Sequence, residues 1–189
     1  MRKLSEEEVC TDSKVTWYLP HRFVINPKKP NRLRRVYDAS AKFRGQSLND
    51  KMYTGPDYLT SLFGVLLRFC EGTIALAAEV REMYNMLRLP ASDQPAMRFL
   101  WGESPSEEPS VYQSQRTVFG EVSVPSRANY TMRRNADENR GDLTLGVKAV
   151  YKHFCMDDGL PSTESREEAI EMRKQMTELL HRGGFHLHK

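Results

Sequence analysis

Phe154-Cys-Met-Asp-Asp158 is the stretch on which the reading of this chain turns: a short apolar run that ends in two adjacent carboxylates at a tight turn. Its counterpart lies upstream. Thr73-Ile-Ala-Leu-Ala-Ala-Glu-Val80 is a short apolar run with a β-branched start, expected to form a buried strand with Glu79 at its end. Carboxylates projecting from neighbouring strand ends can hold Mg²⁺, which keeps several waters and takes one or two carboxylates plus substrate phosphates. Two such ions can clamp the attacking and leaving oxygens of a phosphoryl transfer. An Asp-Asp pair by itself is more often a solvated turn, so the surrounding chain has to decide.

Working outward, Asp57 is expected to cap a helix whose apolar positions Leu59, Leu62, Phe63, Leu66, Leu67 and Cys70 share one face, with Gly72 closing it. Before it, Thr16–Pro20 and Arg22–Asn26 read as extended, Pro27-Lys-Lys-Pro-Asn31 as a turn, and Arg34–Asp38 as a returning strand. The result is a hairpin lined with Lys and Arg, preceded by residues 1–13 as a disordered, frayed leader. Downstream, Arg81–Leu87 suggests one or two helical turns, Ala96–Trp101 and Val111–Val118 two strands, and Pro125-Ser126 the start of a polar helix. Ser165-Arg-Glu-Glu168 is a capping-box pattern, and behind it Ala169, Met172, Met176, Leu179 and Leu180 repeat at helical spacing. Gly183-Gly184 ends that helix and Phe185-His-Leu187 starts a strand. The mixture predicts an α+β fold, an antiparallel sheet with helices packed on one face.

With 189 residues, 39% hydrophobic and 28% charged, the chain can form one domain or two small lobes, and is neither collagen-like nor wholly disordered. No apolar run approaches the ~20 residues that span a bilayer, and the charged N-terminus lacks the apolar core of a secretory signal. Cys10, Cys70 and Cys155 are odd in number and form no CxxC, which predicts a reduced intracellular protein, cytoplasmic or nuclear, without a disulfide framework or zinc site. Net charge is only +3, but residues 14–51 carry ten Lys or Arg against Asp38 and Asp50. Such a lobe suits a polyanion, although a plain solvated surface has the same composition.

In order along the chain, the sequence resembles the reverse transcriptase (RNA-directed DNA polymerase) of LTR retrotransposons, in particular the BEL/Pao group, from Trp17 to Lys189. The blocks are Trp17-Tyr-Leu-Pro-His21, the run Arg34-Arg-Val-Tyr-Asp-Ala-Ser-Ala-Lys-Phe-Arg-Gly-Gln-Ser-Leu-Asn-Asp50, Gly55-Pro-Asp57 and Gly64-Val-Leu-Leu-Arg-Phe69. They continue with Phe119-Gly120 and Pro125, Arg133-Arg134, and Phe154-Cys-Met-Asp-Asp158. The resemblance implies the fingers and palm of a right-hand polymerase, with 14–72 a basic, fingers-like segment and 73–189 palm-like, truncated before the primer grip and thumb. It implies that Arg34 sits over the triphosphate of the incoming dNTP, with Lys28 or Lys29 reaching the same phosphates. Glu79 falls where the family has its first metal-binding Asp; Asp157 and Asp158 match the paired aspartates, and the three would hold Mg²⁺, or Mn²⁺ in its place. Tyr84, otherwise readable as a core aromatic, matches the residue under the sugar, and Gly120 begins the loop near the nascent base pair. The implied partners are an RNA or DNA template-primer, dNTP and further domains of a polyprotein, with no membrane.

The departures from the family are as informative as the matches. Glu79 replaces Asp, and its extra methylene moves the carboxylate by about an ångström, a misplacement that can cost on the order of 10²-fold in rate. Cys155 replaces the family's aromatic, and Glu121 and Arg127 place charges where small or neutral residues are usual. The strand at Phe185–Lys189 is expected to lack its partner and leave an exposed edge, with His186 and His188 on one face. Template-directed nucleotidyl transfer by two-metal catalysis is therefore the inherited reaction, expected to be weak or inactive in this chain. A non-catalytic nucleic-acid-binding remnant, or an inert relic, is the alternative.

Overall fold

Local signals build the elements of this computed structural model, which describes every residue except Asp12, Lys14, Lys28 and Lys189, and only the backbone of residues 26 and 29–32. In chain order they begin with β1 (Arg2–Lys3), α1 (Glu6–Cys10), β2 (His21–Asn26), β3 (Lys29–Tyr37), α2 (Leu62–Phe69), β4 (Ile74–Ala75), β5 (Ala78–Val80) and α3 (Met83–Met86). They continue with β6 (Arg98–Trp101), β7 (Ser110–Gln113), α4 (Val124–Glu138), α5 (Thr144–Lys152), β8 (Phe154–Cys155) and β9 (Asp158–Gly159). Last come β10 (Ser162–Thr163), α6 (Arg166–Arg182) and β11 (Leu187–His188). Every paired strand runs antiparallel to its neighbour and helices lie between them in sequence, which is the α+β class expected. The chain forms two units, each of two segments: Met1–Thr54 with Leu87–Val124, and Gly55–Met86 with Pro125–Lys189. A division into consecutive segments at 72/73 misses this interleaving, because strands far apart in sequence share a sheet.

In the first unit, β1, β7 and β6 form a three-stranded sheet in that order, and β2 and β3 form a hairpin. Its core gathers Leu19, Tyr37, Ala39, Leu48, Leu89, Met97, Phe99 and Val118. The leader expected to be frayed is ordered from Met1 to Thr11. Arg2 pairs with Gln113, and Ser5 and Glu8 form a full capping box on α1, the side chain of each bonding the other's backbone N–H. That Ser-x-x-Glu signal was in the sequence; the neighbouring charges hid it.

In the second unit a four-stranded sheet has the order β11-β5-β9-β8, and β10 pairs with β4. The expected single strand 73–80 is thus split between two sheets. β11 pairs with β5, so the terminal strand has one partner after all and is an edge on its other side only. On α6, Ala169, Met172, Met176, Leu179 and Leu180 are all buried, as the spacing predicts. On α2 the outcome is the reverse. Ser61 caps it, Asp57 instead accepts from the Leu59 N–H, and the buried residue is Val65. The expected core face is exposed, with Phe63 at 72% and Leu62 at 54%. Periodicity identified the helix but not which side meets the core.

Candidate functional site

Strand register sets the acidic positions. Glu79 on β5 pairs with Asp158 on β9, and one step along the Val80 N–H donates to the Asp157 carbonyl at 2.8 Å. Because Val80 and Asp157 form the hydrogen-bonded pair, Glu79 and Asp158 occupy the non-hydrogen-bonded site, where Cα atoms approach to about 4.5 Å and side chains lie closest. Like charges directly opposite repel, and a cation between them reverses the sign of that interaction. Glu79 is opposed on its other side by His188 of β11. His186 instead has its ring against His181, centroids 5.5 Å apart. Among the described residues, no three His, Cys, Asp or Glu side chains are gathered closely enough to hold a metal ion between them. What the register assembles is the Glu79–Asp158 pair with Asp157 at the adjoining turn. Its donors are carboxylate oxygens alone, the set suited to a hard cation that completes its shell with phosphate oxygens and water.

The turn is shaped by Met156. Only Met156 and Asp157 join β8 to β9, and Met156 has φ +58° while Asp157 does not enter the left-handed region, the pattern of a type II′ hairpin. A non-glycine residue held at positive φ there costs on the order of 1–3 kcal/mol. Two donors fix it: the Tyr84 hydroxyl at 3.7 Å and Asn129 Nδ2 at 3.8 Å both point at the Met156 sulfur. Burial, and then the Asp157 charge, raise the pKa of Tyr84, so its phenol stays protonated and the ring lies within the field of that carboxylate. Tyr84 is therefore half-buried beside the acidic turn rather than lost in the core. Sequence reasoning passed over Met156 and Asn129; a bulky residue before Asp-Asp was the available signal.

The first unit carries the other expected residues. Arg34 is exposed and paired across the hairpin with Val24. Arg35, next along, faces the opposite way. Its guanidinium lies 5.1 Å from the Phe99 ring and 5.8 Å from those of Phe23 and Trp101, and it donates to the Tyr37 hydroxyl at 3.2 Å. Lys28 lies outside the described residues, and Lys29 is described by its backbone alone, opposite Asn26.

Gly120 has φ +105°, and a Cβ there would stand 2.8 Å from the Tyr37 carbonyl, so the position accepts only glycine. Asn49 clamps this loop, donating to the Gly120 carbonyl at 2.9 Å and accepting from the Val122 N–H at 3.0 Å. Asn49 stood in a quoted block without a role; two bonds to one loop now supply it. Glu121, a charge where a small or neutral residue is usual, is buried and accepts from the Val118 N–H at 2.7 Å. In the second unit, Arg133 lies over the rings of Tyr58 and Tyr151, at 5.8 and 5.4 Å, beside an open cavity of about 410 Å³.

No family model and no curated protein matches the sequence. Solved structures do. A foamy viral protease–reverse transcriptase in complex with double-stranded DNA superposes with a TM-score of 0.69 at 15% identity, over 93% of this chain and 27% of that one. The prototype foamy virus protease–reverse transcriptase CSH mutant gives 0.69 at 14%, covering 94% and 20%. The foamy viral enzyme in complex with an RNA/DNA hybrid gives 0.67 at 15%, covering 93% and 21%. The chain thus spans about a fifth to a quarter of the solved chains, and its fold is reverse-transcriptase-like. No helix among the described residues is long and apolar enough to cross a membrane.

Proposed function

We propose that this chain is the fingers-and-palm portion of a reverse transcriptase of the BEL/Pao type, built for template-directed nucleotidyl transfer and impaired in it. One observation carries the reading: in a reverse-transcriptase-like fold, Glu79 stands directly across from Asp158 beside the Met156–Asp157 turn. Glu79 and Asp158, with Asp157 at the adjoining turn, would hold Mg²⁺ or Mn²⁺ together with substrate phosphate oxygens and water. A metal bound there would supply charge neutralisation at the phosphoryl group attacked by the primer 3′-hydroxyl. Arg34, with Lys28 or Lys29, binds triphosphate oxygens through charge-assisted bonds. Tyr84 lies against the sugar, and the Gly120 loop, fixed by Asn49, lies near the nascent base pair. The template-primer is RNA or DNA, in keeping with the duplexes bound by the foamy virus structures. Glu79 keeps the charge but shifts it, so metal binding survives better than rate does.

Primer extension on an RNA template tests this. The wild-type chain is expected to add few or no nucleotides with Mg²⁺ or Mn²⁺, and Glu79→Asp to raise the rate at least tenfold. Processive synthesis by the wild type refutes the impairment; no gain in Glu79→Asp, with no binding of template-primer, refutes the reading as a whole. Binding of nucleic acid without catalysis is the second reading, favoured by the exposed arginine face of the hairpin, which needs no metal.

A further inference from the structure

We infer that Arg22 is a phosphate-binding residue for a nucleic-acid strand, acting with Arg34 on the outward face of the β2–β3 hairpin, and that Arg35 takes no part in binding. The inference rests on the second reading above, binding of nucleic acid without catalysis, in which Arg34 meets a strand phosphate and not a triphosphate, and adds the residue and the face.

Register sorts the hairpin into two faces. Arg22 pairs with Val36 and Val24 with Arg34, while His21 pairs with Tyr37, Phe23 with Arg35 and Ile25 with Leu33. Strand side chains alternate, so Arg22, Val24, Arg34 and Val36 share one face. The second face is committed at its base, where His21, Tyr37 and Arg35 pack on Phe99 and Trp101, while Ile25 and Leu33 nearer the tip are exposed. On the first face Arg22 and Arg34 are both exposed, and among the described residues neither has a carboxylate partner. They stand diagonally, a relation that separates residues by about 7–8 Å and their Cβ atoms by somewhat less. Two planar forks on flexible stems from such roots reach two phosphates of one strand. Between them Val24, 42% exposed, offers an apolar surface to sugar or base.

Charge points to the same class of ligand. Residues 21–37 hold Arg22, Lys28, Lys29, Arg32, Arg34 and Arg35 and no Asp or Glu. A hairpin with that repulsion and no internal relief is stabilised by a polyanion. The aromatic cage removes one cation, Arg35, from this surface; Arg22, which no family motif singles out, remains on it.

The test is fluorescence anisotropy of a 5′-labelled single-stranded DNA, titrated with the whole chain between about 50 and 200 mM salt. Each phosphate contact contributes about 0.7 to the slope of log affinity against log salt for a single strand. Arg22→Ala and Arg34→Ala are each expected to flatten the slope by that amount, and the double variant by about twice it. Across a fourfold salt range Arg22→Ala should therefore lose about 3-fold less affinity than the wild type. Arg22→Lys, which keeps the charge, should retain the slope, and Arg35→Met should leave it unchanged, with circular dichroism confirming that each variant is folded. A salt-dependent wild type whose slope is untouched by Arg22→Ala, or equally flattened by Arg35→Met, overturns the inference and leaves the nucleic-acid reading standing. A wild type that does not bind at the lowest salt overturns both.

Discussion

Removing the Arg35 side chain tests the physical account of the first unit most directly. Its guanidinium touches three aromatic rings and bonds the hydroxyl of Tyr37, a residue only 5% exposed. A cation–π contact is worth about 0.5–1 kcal/mol when exposed and about 2 when desolvated. A hydrogen bond from a charged donor is worth roughly 1.5–3 kcal/mol. Against these stands Arg35 Nε, buried without a hydrogen-bond partner among the described residues, whose desolvation returns about 1 kcal/mol on deletion. Arg35→Ala should therefore destabilise by about 2–3 kcal/mol, and Arg35→Met, which keeps the stem and discards the unpartnered Nε, by about 1.

The assay isolates the unit concerned. Both tryptophans, Trp17 and Trp101, lie in the first unit, so tryptophan emission during urea unfolding follows that unit alone. With an m-value of roughly 1–3 kcal/mol per molar, the midpoint of Arg35→Ala should fall by about 1–2 M. A second readout separates charge from packing. His21 is held below its ordinary pKa by burial first and by the Arg35 charge second. In both variants its titration, followed by NMR, should move up, with burial still holding it down. A stability loss under about 0.5 kcal/mol together with an unmoved His21 would refute the cage as a stabilising element.

Other consequences are as direct. Asn49→Ala should free the Gly120 loop at a cost of about 2 kcal/mol in urea unfolding, and Asn49→Asp should recover less than half, since it keeps the acceptor for Val122 but sets a carboxylate against the Gly120 carbonyl. His153 is buried, and burial first, then the charges of Arg68 and Lys148, lower its pKa, so the unfolded chain binds the proton more readily. Stability of the second unit should be full above about pH 6.5 and fall as pH drops through the unfolded value toward the folded one, by at most about 1.4 kcal/mol per pH unit; hydrogen exchange of α5 amides measures it, and His153→Gln should flatten the dependence. Val65→Ala on α2 should cost about 2 kcal/mol because the side chain is fully buried, while Phe63→Ser, though it removes the larger apolar group, should change chemical stability by less than about 0.5.

Much of the candidate site was legible because it rests on local chemistry. Two carboxylates after a short apolar run, a carboxylate ending another, and a cationic hairpin can each be read from a few neighbouring residues, and their order along the chain supplied the resemblance. Their pairing was not legible. That Glu79 opposes Asp158, and not Asp157, depends on a register set by strands about eighty residues apart, and a slip of one residue would turn every side chain to the other face. The arginines show the same division: the string Arg34-Arg35 promises two equivalent cations, and strand alternation gives one to solvent and the other to Phe99.

What the sequence by itself determined is the set of elements with self-contained signals: the α6 capping serine and its buried stripe, the hairpin, the acidic turn and the α+β class. Tertiary structure alone decided the start of α5, which has no cap of its own; Gln175 on α6 accepts from the N–H groups of Leu145 and Gly146 instead. It decided likewise which side of α2 is buried. The reason is common to both: a backbone donor or an apolar face can be satisfied by any partner of the right chemistry, and only the folded chain determines which partner is within reach.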